Sequence, residues 1–240
     1  MRILFMGDSI IRGSQGVNFL QFLAFKHPDW EIENAGVNGD TLTCIAKRLK
    51  KKIAYDADYD SIVFEAGYND ILLPAFKNKN FLFRSALSYL LKKQYNPLGS
   101  PEAFAPAYQD IIRYLLSRTS AKIILTTLGC INENLDSELN QQRWAYNQII
   151  RQTAQDFTCA LADVSPKFDK ILSQQKNQDY FLEFFFNTAA LDLFHYKYLH
   201  RADELSRERN LLLTIDGVHL NSRGAGIFMK EIEKQLLLPK

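Results

Sequence analysis

The chain has 240 residues, 47% hydrophobic and 23% charged, enough to bury the core of one domain without disulfides or a structural metal. A formal net charge of +2 gives no reason to expect a nucleic-acid partner. No run approaches the roughly 20 apolar residues that cross a bilayer, so no integral membrane segment is expected.

The first predicted element is the apolar run at 3–6, which breaks at Gly7 and leads into Asp8-Ser9-Ile10. A buried strand that turns there into a helix would expose the Ser9 hydroxyl at the carboxyl edge of a sheet, where open α/β folds place their ligands. Gly7-Asp8-Ser9 also reads as a plain helix cap, since Asp and Ser are both good N-caps. The opening run is too short for a secretion signal, and Cys44, Cys130 and Cys159 are odd in number and far apart. Free thiols and a cytoplasmic location are therefore expected. His27 before Pro28 marks the end of the first helix, with a cation near its last carbonyls.

Further strand-like runs lie at 31–34, 61–66, 122–127, 159–163 and 211–215, with helical patterns between most of them. That alternation predicts a parallel sheet covered on both faces. After the second run, Asn38-Gly39-Asp40 reads as a turn, with Asp40 or Thr41 capping the next helix. Lys47-Arg48-Leu49-Lys50-Lys51-Lys52 reads as the solvated face of that helix rather than as a contact for anionic lipid or an acidic polymer. Gly67-Tyr68-Asn69-Asp70 reads as a strand-to-helix turn. The last run enters Asp216-Gly217-Val218-His219, and a helix capped by Asn221 or Ser222 follows, with Phe228, Ile232 and Leu236 on one face. In the Asp-x-x-His spacing the carboxylate can curl back onto one imidazole nitrogen and leave the other free to face a hydroxyl. With an exposed serine this supplies the nucleophile, base and orienter of a serine hydrolase.

Four segments stand in one order along the chain: Gly7-Asp8-Ser9-Ile10, Asn34-Ala35-Gly36-Val37-Asn38-Gly39-Asp40-Thr41, Gly67-Tyr68-Asn69-Asp70 and Asp216-Gly217-Val218-His219-Leu220-Asn221. Together they resemble the GDSL-type SGNH hydrolases over nearly the whole chain, with Ile10 in the place of the usual leucine. The resemblance implies an α/β fold, a flavodoxin-like three-layer α/β/α sandwich around a central parallel sheet of about five strands. It implies Ser9 as nucleophile, His219 as general base and Asp216 as the group that holds the imidazole. It further implies an oxyanion hole made by the backbone N–H groups of Ser9 and Gly39 and the side-chain amide of Asn69. Chemistry agrees: a helix start favours negative charge, glycine lets the main chain approach substrate, and an amide donates without changing protonation state.

His195 and His200, five apart, lack the spacing of a helical zinc pair, and the chain has no Asp-x-His or His-x-His pair for a two-metal phosphoesterase. Gly-x-Ser-x-Gly is also absent. Neither metal nor cofactor is expected. Residues 1–240 are read as a single domain with insertions at about 76–105 and 177–210. The second is rich in aromatics, including Phe184-Phe185-Phe186. These insertions are expected to wall the pocket or form an apolar lid, whereas most of the aromatics fit core or a homodimer contact better. The expected activity is hydrolysis of small-molecule carboxylic esters through an acyl-enzyme on Ser9. A carbohydrate O-acetylesterase, thioesterase or lysophospholipase of the same fold is the alternative, and a metal-dependent phosphoesterase or a non-catalytic binding domain a more remote one.

Overall fold

In the computed structural model, residues 1–78, 80–174, 180 and 201–239 are described. Strand β1 (Arg2–Gly7) is buried from Ile3 onward, as a run of Ile, Leu, Phe and Met without polar alternation requires at the centre of a parallel sheet. It pairs in parallel with β2 (Glu31–Gly36) on one side and with β3 (Ser61–Phe64) on the other. β4 (Lys122–Thr126) and β5 (Ala160–Ala162) extend the sheet, giving the order β2-β1-β3-β4-β5. The expected five-strand parallel sheet is thus observed. β2 carries Glu31, Glu33 and Asn34 because it is an edge strand and only half-buried.

The helices are α1 (Ser9–Arg12), α2 (Phe19–Lys26), α3 (Leu42–Tyr55), α4 (Tyr68–Ala75), α5 (Phe81–Lys92), α6 (Pro101–Arg118), α7 (Glu138–Asp156), α8 (Ser165–Leu172), α9 (Ala202–Glu208) and α10 (Ser222–Leu237). α2, α8 and α10 share one face of the sheet, where Phe228 meets Phe19 at 5.6 Å and Phe168 at 5.8 Å between ring centroids. α3, α6 and α7 cover the other, where Phe104 packs on Tyr146 at 4.3 Å and Tyr108 on Phe64 at 5.4 Å. The first helical region is split, since Gly13 takes the left-handed conformation and ends α1 after four residues. α2 does end at His27, but the imidazole turns to Glu233, 2.5 Å away, and stacks on Trp30 instead of facing the helix carbonyls.

The run at 211–215 is not a sheet strand, and only an isolated antiparallel bridge joins Thr214 to Leu220. The buried carboxylate of Glu133 accepts the N–H groups of Leu212 at 2.6 Å, and of Leu213 and Thr214 at 2.8 Å, which a ladder would otherwise use. The apolar pattern was real, but a side chain replaces the neighbouring strand. The aromatic stretch at 181–200, including Phe184 to Phe186, His195 and His200, lies outside the described residues.

Order reverses beside β1, because the chain leaves it for β2 on one side and returns to β3 on the other. The carboxyl ends of these three strands therefore open onto one crevice.

Candidate active site

Gly7 ends β1 where the chain must turn sharply: a Cβ there would lie 2.5 Å from Ile11 and 2.6 Å from Glu65 Oε2. The next residue, Asp8, caps α1 by accepting the Ile10 N–H at 2.9 Å. Ser9 is then the first residue of α1, buried apart from a small exposed fraction. Behind it, the Asp8 N–H donates to Glu65 at 3.1 Å. Burial raises the Asp8 carboxyl to about 6 and holds that of Glu65 well above its ordinary value, with the charge of Asp8 adding to the latter.

The far end of the chain meets this turn. Asp216 Oδ1 accepts the N–H of Val218 at 3.0 Å and of His219 at 2.8 Å, curling the segment so that Oδ2 lies 2.6 Å from His219 Nδ1. With the ring proton on Nδ1, Nε2 is left to accept the Ser9 hydroxyl, 3.1 Å away. Burial alone would raise the Asp216 carboxyl, but the charge of His219 and hydrogen bonds from the imidazole and two backbone N–H groups bring it below the usual range. Ser9, His219 and Asp216 thus form one hydrogen-bonded line.

Gly39 follows β2 with φ 81°, a left-handed conformation that suits glycine, and its open side faces the Tyr95 ring 3.8 Å from where a Cβ would stand. The described residues supply no hydrogen-bond acceptor for the N–H of Ser9 or Gly39. Asn69, in the first turn of α4, donates from Nδ2 to the Asp40 carbonyl at 3.0 Å and to Asp8 Oδ2 at 3.2 Å. Ser9, Gly39 and Asn69 therefore border one another through Asp8 and Asp40.

Four residues given no role at the site by the sequence brace this arrangement. Arg48 does not belong to the solvated face of α3. It points inward to Asp40 Oδ2 at 2.6 Å, the Ala35 carbonyl at 2.7 Å and the Gly7 carbonyl at 3.0 Å, tying the loops after β1 and β2 together. The physical reason is helical phase, for Arg48 follows Ile45 by three residues and so shares its inward side. Asp70 takes the N–H of Leu42 at 2.8 Å and of Leu98 at 2.9 Å, capping α3 in place of Thr41 and joining the segment between α5 and α6 to the site. Burial raises its carboxyl to about 7. Glu133 holds the strand-like approach to Asp216, and Asn132 adds an N–H to the Gly217 carbonyl at 2.7 Å.

The profile of the GDSL-like lipase/acylhydrolase family matches residues 5–227. No curated protein matches the sequence significantly. An acetyl xylan esterase, AlAXEase, is similar in structure with a TM-score of 0.67 at 18% identity, over 99% of this chain and 100% of that one. The acetylxylan esterase Axe2 from Geobacillus stearothermophilus gives 0.64 at 17% identity, covering 99% and 94%. LAE5, an alpha/beta hydrolase enzyme from the metagenome of Lake Arreo, gives 0.64 at 17% identity, covering 98% and 94%. At these identities the likeness is one of fold.

Proposed function

The chain belongs to the GDSL-like lipase/acylhydrolase family and is a serine hydrolase of carboxylic esters, and from that premise we propose that Ser9, His219 and Asp216 carry the reaction. Ser9 Oγ attacks the ester carbonyl while His219 Nε2 takes its proton. Asp216 keeps the other ring proton in place and stabilises the imidazolium. The tetrahedral oxyanion receives hydrogen bonds from the N–H groups of Ser9 and Gly39 and from Asn69. Collapse breaks the bond to the alcohol, which leaves with the proton from His219, and an acyl group stays on Ser9. Water, deprotonated by the same imidazole, then attacks the acyl carbonyl and releases the acid. These steps need neither metal nor cofactor.

The observation that supports this reading is the continuous line from Ser9 Oγ through His219 to Asp216, at 3.1 and 2.6 Å. The substrate is a small ester with an acyl chain. A second reading, removal of acetyl groups from a carbohydrate, draws on the likeness to acetyl xylan esterases. A fluorophosphonate probe is expected to label the wild type and not Ser9→Ala. Hydrolysis of p-nitrophenyl esters should fall by roughly 10⁴-fold or more in that variant. Equal labelling or equal turnover of the two proteins would remove the assignment, and acetylated oligosaccharides set against longer acyl esters would separate the substrate readings.

A further inference from the structure

Residues 71–101 contain Lys77, Lys79, Arg84, Lys92 and Lys93 and no Asp or Glu. The rest of the chain has 24 basic and 27 acidic residues, so this one segment turns a negative balance into the net +2 of the whole molecule. Its centre is α5, which buries Phe83 and Leu87 and turns other large apolar groups to solvent. Phe81 is 70% exposed, Tyr89 59%, Leu82 49% and Leu91 39%. Arg84 and Lys92 are exposed among them. A helix with aromatic and leucine side chains beside Lys and Arg, and no acid, matches an anionic lipid surface in both its apolar and its charged parts.

The location of α5 gives this surface a use. The segment leaving the helix brings Tyr95 against Gly39, accepts a hydrogen bond from Thr43 at the Asn96 carbonyl (3.1 Å), and donates the Leu98 N–H to Asp70. Lys47 and Lys51, both exposed, follow Thr43 at helical spacing on α3 and extend the positive field along the same side. We propose that the outward face of α5 docks on anionic phospholipid and thereby presents the mouth of the site to acyl esters carried in that surface. The choice of substrate rests on the ester-hydrolase reading, whereas the docking does not.

Sedimentation of the full chain with vesicles tests docking without turnover. Wild type and Ser9→Ala are expected to bind phosphatidylcholine vesicles containing phosphatidylglycerol at least tenfold better than phosphatidylcholine alone, with binding weakening as salt rises. The pair Lys92→Gln/Lys93→Gln, and separately Phe81→Ser/Tyr89→Ser, should each lower that binding by about tenfold or more. Hydrolysis of soluble p-nitrophenyl acetate should stay unchanged in both. Equal vesicle binding by wild type and variants would overturn the proposal, as would no binding by the wild type. Heparin binding as tight as vesicle binding, or a wild-type dimer that Phe81→Ser/Tyr89→Ser converts to monomer, would also overturn it. So would variants that lose vesicle binding only because they are unfolded at the assay temperature, while folded single substitutions at the same positions bind as wild type does.

Discussion

Asn69 has both amide hydrogens engaged in this structure, the shorter bond going to the Asp40 carbonyl and the longer, 3.2 Å, to Asp8. In the proposed reaction a developing oxyanion would recruit it by sharing the hydrogen now given to Asp8, the longer of the two contacts. The contact to Asp40 then keeps the amide plane fixed while the second hydrogen changes partner. Such a bond forms only as charge appears on the substrate oxygen, so it acts on kcat more than on KM. Asn69→Ala is expected to lower kcat by about 10²–10³-fold with KM nearly constant. A variant that lost affinity and kept kcat would show that Asn69 serves substrate binding instead. Asp8, raised by burial to about 6, is ionised above that pH and holds Asn69 most strongly there.

At the scale of elements, the loop after β4 decides where Asp216 and His219 arrive. Glu133 takes three backbone N–H groups and the Thr214 hydroxyl, while Asn140 braces the same loop through the Ile131 N–H and the Asn132 and Asn134 carbonyls. Glu133→Ala leaves those buried donors without an acceptor and is expected to cost about 3–5 kcal/mol of stability, with a lower kcat as the Asp216 loop loosens. Denaturant unfolding checks the first effect and ester turnover the second; an unchanged unfolding midpoint would reassign the loop's anchorage. The turns bearing Ser9, Gly39 and Asn69 were legible in sequence because each follows a strand-like run and is marked by glycine within a few residues. Glu133 was not, since its partners lie about 80 residues on and no local spacing marks a carboxylate that replaces a strand. The same substitution explains why 211–215 read as a strand. Arg48 was hidden differently: it stands in a lysine run, and only its phase relative to Ile45 and Leu49 distinguishes it from neighbours that reach solvent.

Across the whole molecule, the site is supported by carboxyls that the fold buries together. Asp8, Glu65 and Asp70 lie near enough to feel one another's charge, and burial is the first cause of each upward displacement, to about 6 for Asp8, to about 7 for Asp70 and well above the ordinary 4.5 for Glu65. Each of these groups holds its proton more tightly folded than unfolded. Between the two values the folded chain carries more protons, so stability falls as pH rises, by about 1.4 kcal/mol per pH unit for each group. Asp216 has the opposite sign, for its lowered carboxyl contributes stability that is lost only as pH falls through its folded value. Glu65 also leaves Oε1 without a hydrogen-bond partner among the described residues, which makes its ionisation costlier still. Glu65→Gln keeps an oxygen for the Asp8 N–H and removes the titration. Its melting temperature relative to wild type is therefore expected to be higher at pH 8 than at pH 5, read from thermal melts at constant ionic strength. A difference that stays level across that range would mean that Glu65 releases its proton as readily in the folded protein as in the unfolded chain, and the buried acid behind Ser9 would have to be charged.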